Sequence, residues 1–285
     1  MKIIKKISKC KSIISSLRQK GYKIGLVPTM GFLHEGHLNL VRMAKKECDK
    51  VVISIFVNPA QFGPGEDFKK YPRDIKKDSM LAEKEGVDYI FNPAAEEMYD
   101  PDHETFVEVR QLSGIMCGKF RSGHFAGVTT VVLKLLNIVN AHKVYFGKKD
   151  YQQMMIIKKM AGDLNLDNKI VSGPTVRESD GIALSSRNKY LSAEERKNAV
   201  ILYESLKMAK NMIKCGEKNL EKVKKKARKE LKKNKFVRNV DYFEFRDPIT
   251  LKERKIVDKK QKRLLIAAAV WIGKTRLIDN MVIRI

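Results

Sequence analysis

The chain has 285 residues, of which 43% are hydrophobic, enough to bury a sizeable core in one or two domains, and a formal net charge of +25. Its cysteines, at positions 10, 48, 117 and 215, show no C-x-x-C pair and no metal-ligand spacing, which argues against a disulfide scaffold or a zinc ribbon and for reduced thiols in a cytoplasmic protein. The longest apolar stretch, residues 264–272, is too short to span a bilayer, and lysines break the first six residues before a secretory signal could form, so neither a membrane nor an export role is expected.

Strand-like runs at residues 24–27, 51–56, 88–91, 143–146 and 169–172 alternate with helical patterns over the first two thirds of the chain. A helix carrying Leu38, Val41, Met43 and Ala44 follows the first run, and further helices are predicted over 73–85, 127–139 and 151–161. Such alternation predicts an α/β fold with a mostly parallel, Rossmann-like sheet, whose ligands bind beyond the carboxyl ends of the strands. The pattern changes near Thr175, giving predicted domains of 1–175 and 176–285. In the second, Ser192 caps a helix with Glu195 three residues on, two lysine-rich amphipathic helices follow, and then come three strand-like runs. Those runs are 240–245, then 249–251 or 255–257, then 264–271, and they predict a smaller α+β domain.

Between the first strand and its helix lies Pro28-Thr29-Met30-Gly31-Phe32-Leu33-His34-Glu35-Gly36-His37. A strand, a glycine-containing turn and a helix start in that order direct backbone N–H groups at a ligand above the strand end. His34 and His37 share one side of the first helical turn and can donate to phosphate oxygens. Two other readings compete: histidines that only cap the helix, and a zinc helix. Zinc helices space their histidines four apart and need a third ligand, which this chain does not supply nearby.

Three more polar segments carry chemistry. Asn58 and Gln61, in Asn58-Pro59-Ala60-Gln61-Phe62, offer amide groups after the second strand, although an Asn-Pro turn is the commoner use of such a sequence. Gly147-Lys148-Lys149-Asp150-Tyr151-Gln152-Gln153 follows the fourth strand, where Gly147 permits close backbone approach, Lys149 offsets phosphate charge and Asp150 can accept ribose hydroxyls. Leu184-Ser185-Ser186-Arg187-Asn188 joins two hydroxyls to a guanidinium, a set suited to a triphosphate. Arg121-Ser122-Gly123-His124 precedes a long apolar helix, with its role open.

Much of the positive charge lies between Lys207 and Lys235, where lysines fill the gaps in an apolar helical stripe of Leu206, Ala209, Ile213, Leu220, Val223, Ala227 and Leu231. No aromatic residues interleave to stack bases, so this reads as solvated helix faces and not as a specific nucleic-acid site.

Taken together, these segments in this order resemble the pantothenate synthetase (pantoate–β-alanine ligase) family of the nucleotidyltransferase superfamily. The likeness extends to Asp241-Tyr242-Phe243-Glu244-Phe245-Arg246-Asp247 and Gly273-Lys274-Thr275-Arg276-Leu277-Ile278-Asp279. The histidine and serine-loop signatures are also similar to those of class I aminoacyl-tRNA synthetases. The resemblance implies a Rossmann-like ATP domain with a smaller C-terminal lid, and a cytoplasmic homodimer that uses magnesium. It implies joining of pantoate to β-alanine through a pantoyl adenylate. Carried onto this chain, it assigns Met30, Gly31, His34, His37, Gly147, Lys148, Lys149, Asp150, Val176, Leu184, Ser185, Ser186 and Arg187 to ATP. His37 becomes the proton donor, with His34 and Lys149 assisting. Gln61, Gln153 and Asn58 fall to pantoate, and Gln61 also to β-alanine. Leu184 stands where the family pattern has methionine, a change of similar apolar volume. A nucleotidyltransferase that stops at nucleotide transfer is the nearest enzymatic alternative, and the amides of Asn58, Gln61 and Gln153 argue instead for a small hydroxy-acid pocket.

Overall fold

The apolar runs of the first two thirds pair with one another in a single parallel sheet. A computed structural model, describing residues 1–258 and 262–285, shows this sheet and a second, smaller one. The chain divides into two units, Met1–Lys148 with Gln153–Pro174, and Lys149–Gln152 with Thr175–Ile285.

In the first unit the strands are β1 (Lys2–Ile4), β2 (Ile24–Thr29), β3 (Lys50–Ile55), β4 (Tyr89–Phe91), β5 (Lys143–Gly147) and β6 (Lys169–Gly173). They lie in the order β1-β4-β3-β2-β5-β6, and every neighbouring pair is parallel. The connecting helices are α1 (Ile7–Gln19), α2 (Glu35–Glu47), α3 (Ile75–Lys84), the single turns α4 (Ala95–Met98) and α5 (Arg110–Ser113), α6 (His124–Val139) and α7 (Tyr151–Asp163). Residues Val51 to Ile55 are all buried, as a strand covered on both faces must be. Leu38, Val41 and Ala44 of α2 are buried against this sheet, with Met43 half-buried beside them.

The sequence order reverses across β2, which has β3 on one side and β5 on the other. Such a switch point leaves a crevice at the carboxyl ends, because the connections run off in opposite directions. The segments starting at Met30 and Asn58 follow β2 and β3, and Gly147 ends β5, so all three lie at that end of the sheet.

The second unit holds α8 (Ala193–Asn198), α9 (Ile201–Lys214), α10 (Leu220–Lys233) and an antiparallel sheet of β7 (Val237–Arg246), β8 (Arg263–Ile272) and β9 (Thr275–Arg284) in that order. Leu206, Ala209, Ile213, Leu220, Val223, Ala227 and Leu231 are buried against Phe243, Phe245, Ile266 and Val270. Ser192 and Glu195 form the reciprocal capping box expected of them.

Two elements differ from the sequence expectation. Residues 249–251 and 255–257 form no strand; the region contributes only isolated bridges, Arg246 to Glu253 and Asn219 to Ile256, and Ile249 and Ile256 are exposed. The third strand is β9, joined to β8 by a two-residue turn at Gly273, whose φ is +53°. The first unit also gains β1 and α1, which were not expected. β1 pairs three residues at the sheet edge and buries only Ile4, and α1 buries only Cys10 and Ile14, so neither carries a strong apolar pattern.

Gly127 of α6 packs directly on the 3-10 turn Pro59–Gln61, and a Cβ there would lie 2.1 Å from the Ala60 carbonyl oxygen. Gly127→Ala should therefore lower stability by about 2 kcal/mol, the scale of overpacking against an unyielding neighbour. A urea midpoint unchanged from wild type would show that α6 does not hold this turn.

Candidate functional site

In the first unit the expected site residues begin at the end of β2. Thr29 donates from Oγ1 to the Ser54 carbonyl at 2.7 Å and accepts from the Gly31 N–H at 3.1 Å. Gly31 has φ +83° and Phe32 φ +51°, a tight left-handed turn. Asp78, on α3 and 1% exposed, accepts from the N–H groups of Phe32 at 2.8 Å and Leu33 at 2.7 Å. Burial pushes the Asp78 carboxyl above its ordinary value, against the opposing pull of those two bonds.

His34 is the N-cap of α2 and His37 its third residue. The Gly36 N–H donates to His34 Nδ1 at 3.2 Å, the His34 N–H donates to His37 Nδ1 at 3.3 Å, and the rings lie 4.0 Å apart, tilted by 30°. The N–H groups of Gly31, Phe32, Leu33, His34, Gly36 and His37 are thus all engaged within the protein. This differs from the expectation of backbone donors aimed at a ligand: the turn uses them to hold its own shape. The histidines do cap the helix, and capping is also what fixes their chemistry. An Nδ1 that accepts carries no proton, so the neutral ring holds its proton on Nε2. Both imidazoles are thereby set as Nε2–H donors.

Asn58 caps the 3-10 turn after β3 and Gln61 ends it, and both are buried, at 1% and 8% exposure, not exposed as in an ordinary Asn-Pro turn. Asn58 Nδ2 donates to Gln61 Oε1 at 3.1 Å and to the Gly127 carbonyl at 3.0 Å, while its Oδ1 accepts from the Tyr99 hydroxyl at 2.8 Å. Gln61 Nε2 in turn donates to Met30 Sδ at 3.0 Å, so the segments after β2 and β3 touch.

Arg121 and His124 support the same turn. Arg121 forks onto Glu66, Nε to Oε1 at 2.8 Å and Nη2 to Oε2 at 2.6 Å, and its Nη1 lies 2.9 Å from His124 Nε2. His124 Nδ1 lies 2.7 Å from the Gln61 carbonyl oxygen. Burial would raise the Glu66 carboxyl, but the Arg121 bonds outweigh it and hold it below its ordinary value. Gly147, Lys148 and Gln153 complete the residues of this unit expected at the site, at the end of β5 and on α7.

The second unit carries Lys149, Asp150, Val176 and residues 184–187. Lys149 Nζ lies 3.8 Å from the Asp150 carboxylate, and Asn280 Nδ2 donates to the Lys149 carbonyl at 2.8 Å. The Leu184 N–H donates to the Val176 carbonyl at 3.0 Å and Arg177 bridges to Ala183, so Val176 and Leu184 are neighbours across a narrow loop. Arg177 forks onto buried Asp279 at 2.6 and 2.8 Å, donates to the Gly181 carbonyl at 2.9 Å, and lies 4.5 Å from the Tyr203 ring centre. Gly181 has φ +97°, and a Cβ there would sit 2.2 Å from that ring. Ser185 caps a 3-10 turn, Ser186–Tyr190, by accepting from the Arg187 N–H at 3.3 Å, which leaves its hydroxyl proton to donate. Sequence reasoning missed Asp78, Tyr99, Glu66 and Asn280, whose partners lie from 41 to 131 residues away.

A parallel sheet with a reversal of strand order, a histidine-capped turn at that point and a second unit bearing a serine–arginine loop define a Rossmann-like nucleotide-binding protein with a small α+β domain. Comparison with known proteins narrows this. The family model for pantoate-beta-alanine ligase matches residues 2–282. Pantothenate synthetases from Caldicellulosiruptor bescii and Thermotoga petrophila are 53% and 51% identical, each over 283 residues, covering 99% of this chain and 99% and 100% of theirs. The crystal structure of pantothenate synthetase from Thermus thermophilus superposes with a TM-score of 0.92 at 39% identity, covering 99% of both chains. That of the pantoate-beta-alanine ligase from Francisella tularensis, complexed with beta-gamma ATP and beta-alanine, gives 0.79 at 37%, covering 99% of this chain and 97% of its own. The chain belongs to the pantoate-beta-alanine ligase family.

The depressed Glu66 carboxyl sets a pH dependence. A group whose native pKa lies below its unfolded one adds stability in full above the unfolded value, about 4.3, and loses it as the pH falls through the native value. The stability gap between wild type and Glu66→Gln should therefore shrink as the pH is lowered from about 6 to about 3. A gap constant across that range in urea titrations would show that the pair with Arg121 contributes nothing.

Proposed function

We infer that this chain is an AMP-forming ligase that condenses pantoate with β-alanine at the expense of ATP. The observation that carries the reading from family to chemistry is the histidine pair set as Nε2–H donors at the end of β2, with the Asn58–Gln61 amide pair in contact through Met30. The pantoate carboxylate attacks the α-phosphorus of ATP, giving pantoyl adenylate and pyrophosphate. The β-alanine amine then attacks the acyl carbon and AMP leaves.

Negative charge gathers on the phosphates in the first step, so fixed donors matter most there. We assign His34 and His37 to the phosphates, with His37 donating to the leaving pyrophosphate. Lys149 adds a positive charge, and Met30, Gly31, Gly147, Lys148, Asp150 and Val176 contact the nucleotide. Leu184, Ser185, Ser186 and Arg187 take the phosphate tail. Gln61, with its Oε1 occupied by Asn58, presents amide N–H to pantoate, joined by Gln153, and Gln61 later orients β-alanine. No covalent nucleophile is required, and a second domain that excludes water would protect the acyl phosphate.

Magnesium accompanies ATP in this reading. Bound to the phosphate oxygens, the ion would offset their charge. The family likeness implies a cytoplasmic homodimer; among the described residues no helix is long and apolar enough to cross a membrane.

The deciding assay is isotope exchange between pyrophosphate and ATP. It should require pantoate and not β-alanine, while AMP formation requires both; exchange dependent on β-alanine would exclude a free adenylate. His37→Ala should slow exchange by on the order of 10²-fold, as for loss of one preorganised donor, with folding retained. A near-normal rate would leave His37 only its capping role.

The basic helix has no part in this chemistry. Lys225, Lys226 and Lys229 of α10 are exposed, whereas Lys224 is half-buried and lies 3.5 Å from Glu221 and 3.6 Å from Glu253. Replacing the three exposed lysines with Gln should weaken retention on heparin yet leave turnover within about twofold, since exposed charges act through screened fields. Loss of turnover in a folded variant would place α10 at the site.

A further inference from the structure

We propose that Glu66, Arg121 and His124 are positioning residues for Gln61, forming a relay that fixes the pantoate-facing amide from behind. The proposal rests on the assignment of Gln61 to pantoate given above.

The relay reads in one direction because of what each group can do. Arginine only donates, so the 2.9 Å contact between Arg121 Nη1 and His124 Nε2 makes that ring nitrogen the acceptor. An accepting Nε2 places the ring proton on Nδ1, which then donates to the Gln61 carbonyl at 2.7 Å. Arg121 is itself held at two points by Glu66, at 2.8 and 2.6 Å, and its Nη2 reaches the same Gln61 carbonyl at 3.5 Å. His124 is 8% exposed, so its ring is oriented by these bonds and by packing.

The Gln61 backbone is thus held from the α6 side by His124, while its side chain is held by Asn58 at 3.1 Å. With Oε1 accepting from Asn58, Nε2 faces Met30, where one of its hydrogens meets Sδ at 3.0 Å and the other is left to donate to pantoate. Loss of the carbonyl anchor lets the turn shift, and a displacement of an ångström at a substrate-orienting group is costly. The effect falls on pantoate more than on ATP, because the β2 turn, though it meets Gln61 at Met30 Sδ, is held by Asp78 and by its own histidines.

The test compares His124→Ala, His124→Asn, His124→Gln and Gln61→Ala, alone and combined, using the Michaelis constants for pantoate and ATP and the thermal midpoint. His124→Ala should raise the pantoate constant by about tenfold, the range for one lost buried hydrogen bond, and the ATP constant by much less. Asparagine keeps an N–H donor near the position of Nδ1 and should restore most of the loss; glutamine, whose amide lies further out, should not. In the Gln61→Ala background, His124→Ala should cost nothing more, because its effect passes through Gln61. A His124→Ala penalty that persists in that background, or that falls equally on ATP, would overturn the relay. So would a normal pantoate constant in His124→Ala when Gln61→Ala is impaired. If Gln61→Ala alone leaves pantoate unaffected, the assignment of Gln61 fails and the relay falls with it.

Discussion

The turn between β2 and α2 is the constraint on which the rest of the site depends. Nearly every N–H from Gly31 to His37 is engaged inside the protein, by Thr29, by Asp78 or by the histidine rings. Buried donors must find partners, so this turn is formed before any ligand arrives. Imidazole suits it because its two nitrogens lie on opposite sides of one rigid ring. One ring nitrogen closes the helix end, and the other keeps a proton outside it. Capping therefore does not compete with the proposed phosphate donation, since the two use different nitrogens of one side chain.

The supports of this turn and of its neighbour come from elements far away in sequence. Asp78 reaches from α3 to two N–H groups of the β2 turn, and Gly127 brings α6 down on the turn after β3. Each tie joins a polar segment at the carboxyl edge of the sheet to a helix packed on the sheet's apolar face. The hydrophobic core that orders the helices therefore also sets the geometry of the polar groups. A buried carboxylate such as Asp78 tolerates its surroundings because it accepts two short bonds, and its raised protonation range reflects what burial still costs.

Most of the architecture was legible because its signals are local. The apolar runs before Met30, Asn58 and Gly147 are strands, and the helical stripe through Leu206, Ala209, Ile213 and Leu220 is buried as its spacing implies. What was not legible is long-range. Nothing around Asp78 marks it as the acceptor for Phe32 and Leu33, and nothing around Glu66 marks it as the anchor of Arg121. The sequence does not mark β9 because Arg276, Asp279 and Arg284 dilute its apolar alternation, whereas the apolar residues Ile249 and Ile256 are exposed and outside any strand. Asn58 and Gln61 look like a solvent-facing turn until α6 is packed over them.

The charged residues of β9 have another side. Asp279 holds the Arg177 fork, and the next residue, Asn280, holds the carbonyl of Lys149. Two adjacent codons thus specify how both the entry to the serine loop and the lysine segment are attached to one short sheet. In the language of mutational robustness, this makes Asp279–Asn280 a bottleneck. Drift in the surrounding surface of β9 is absorbed one position at a time, but change at either of these two is felt at segments more than a hundred residues upstream.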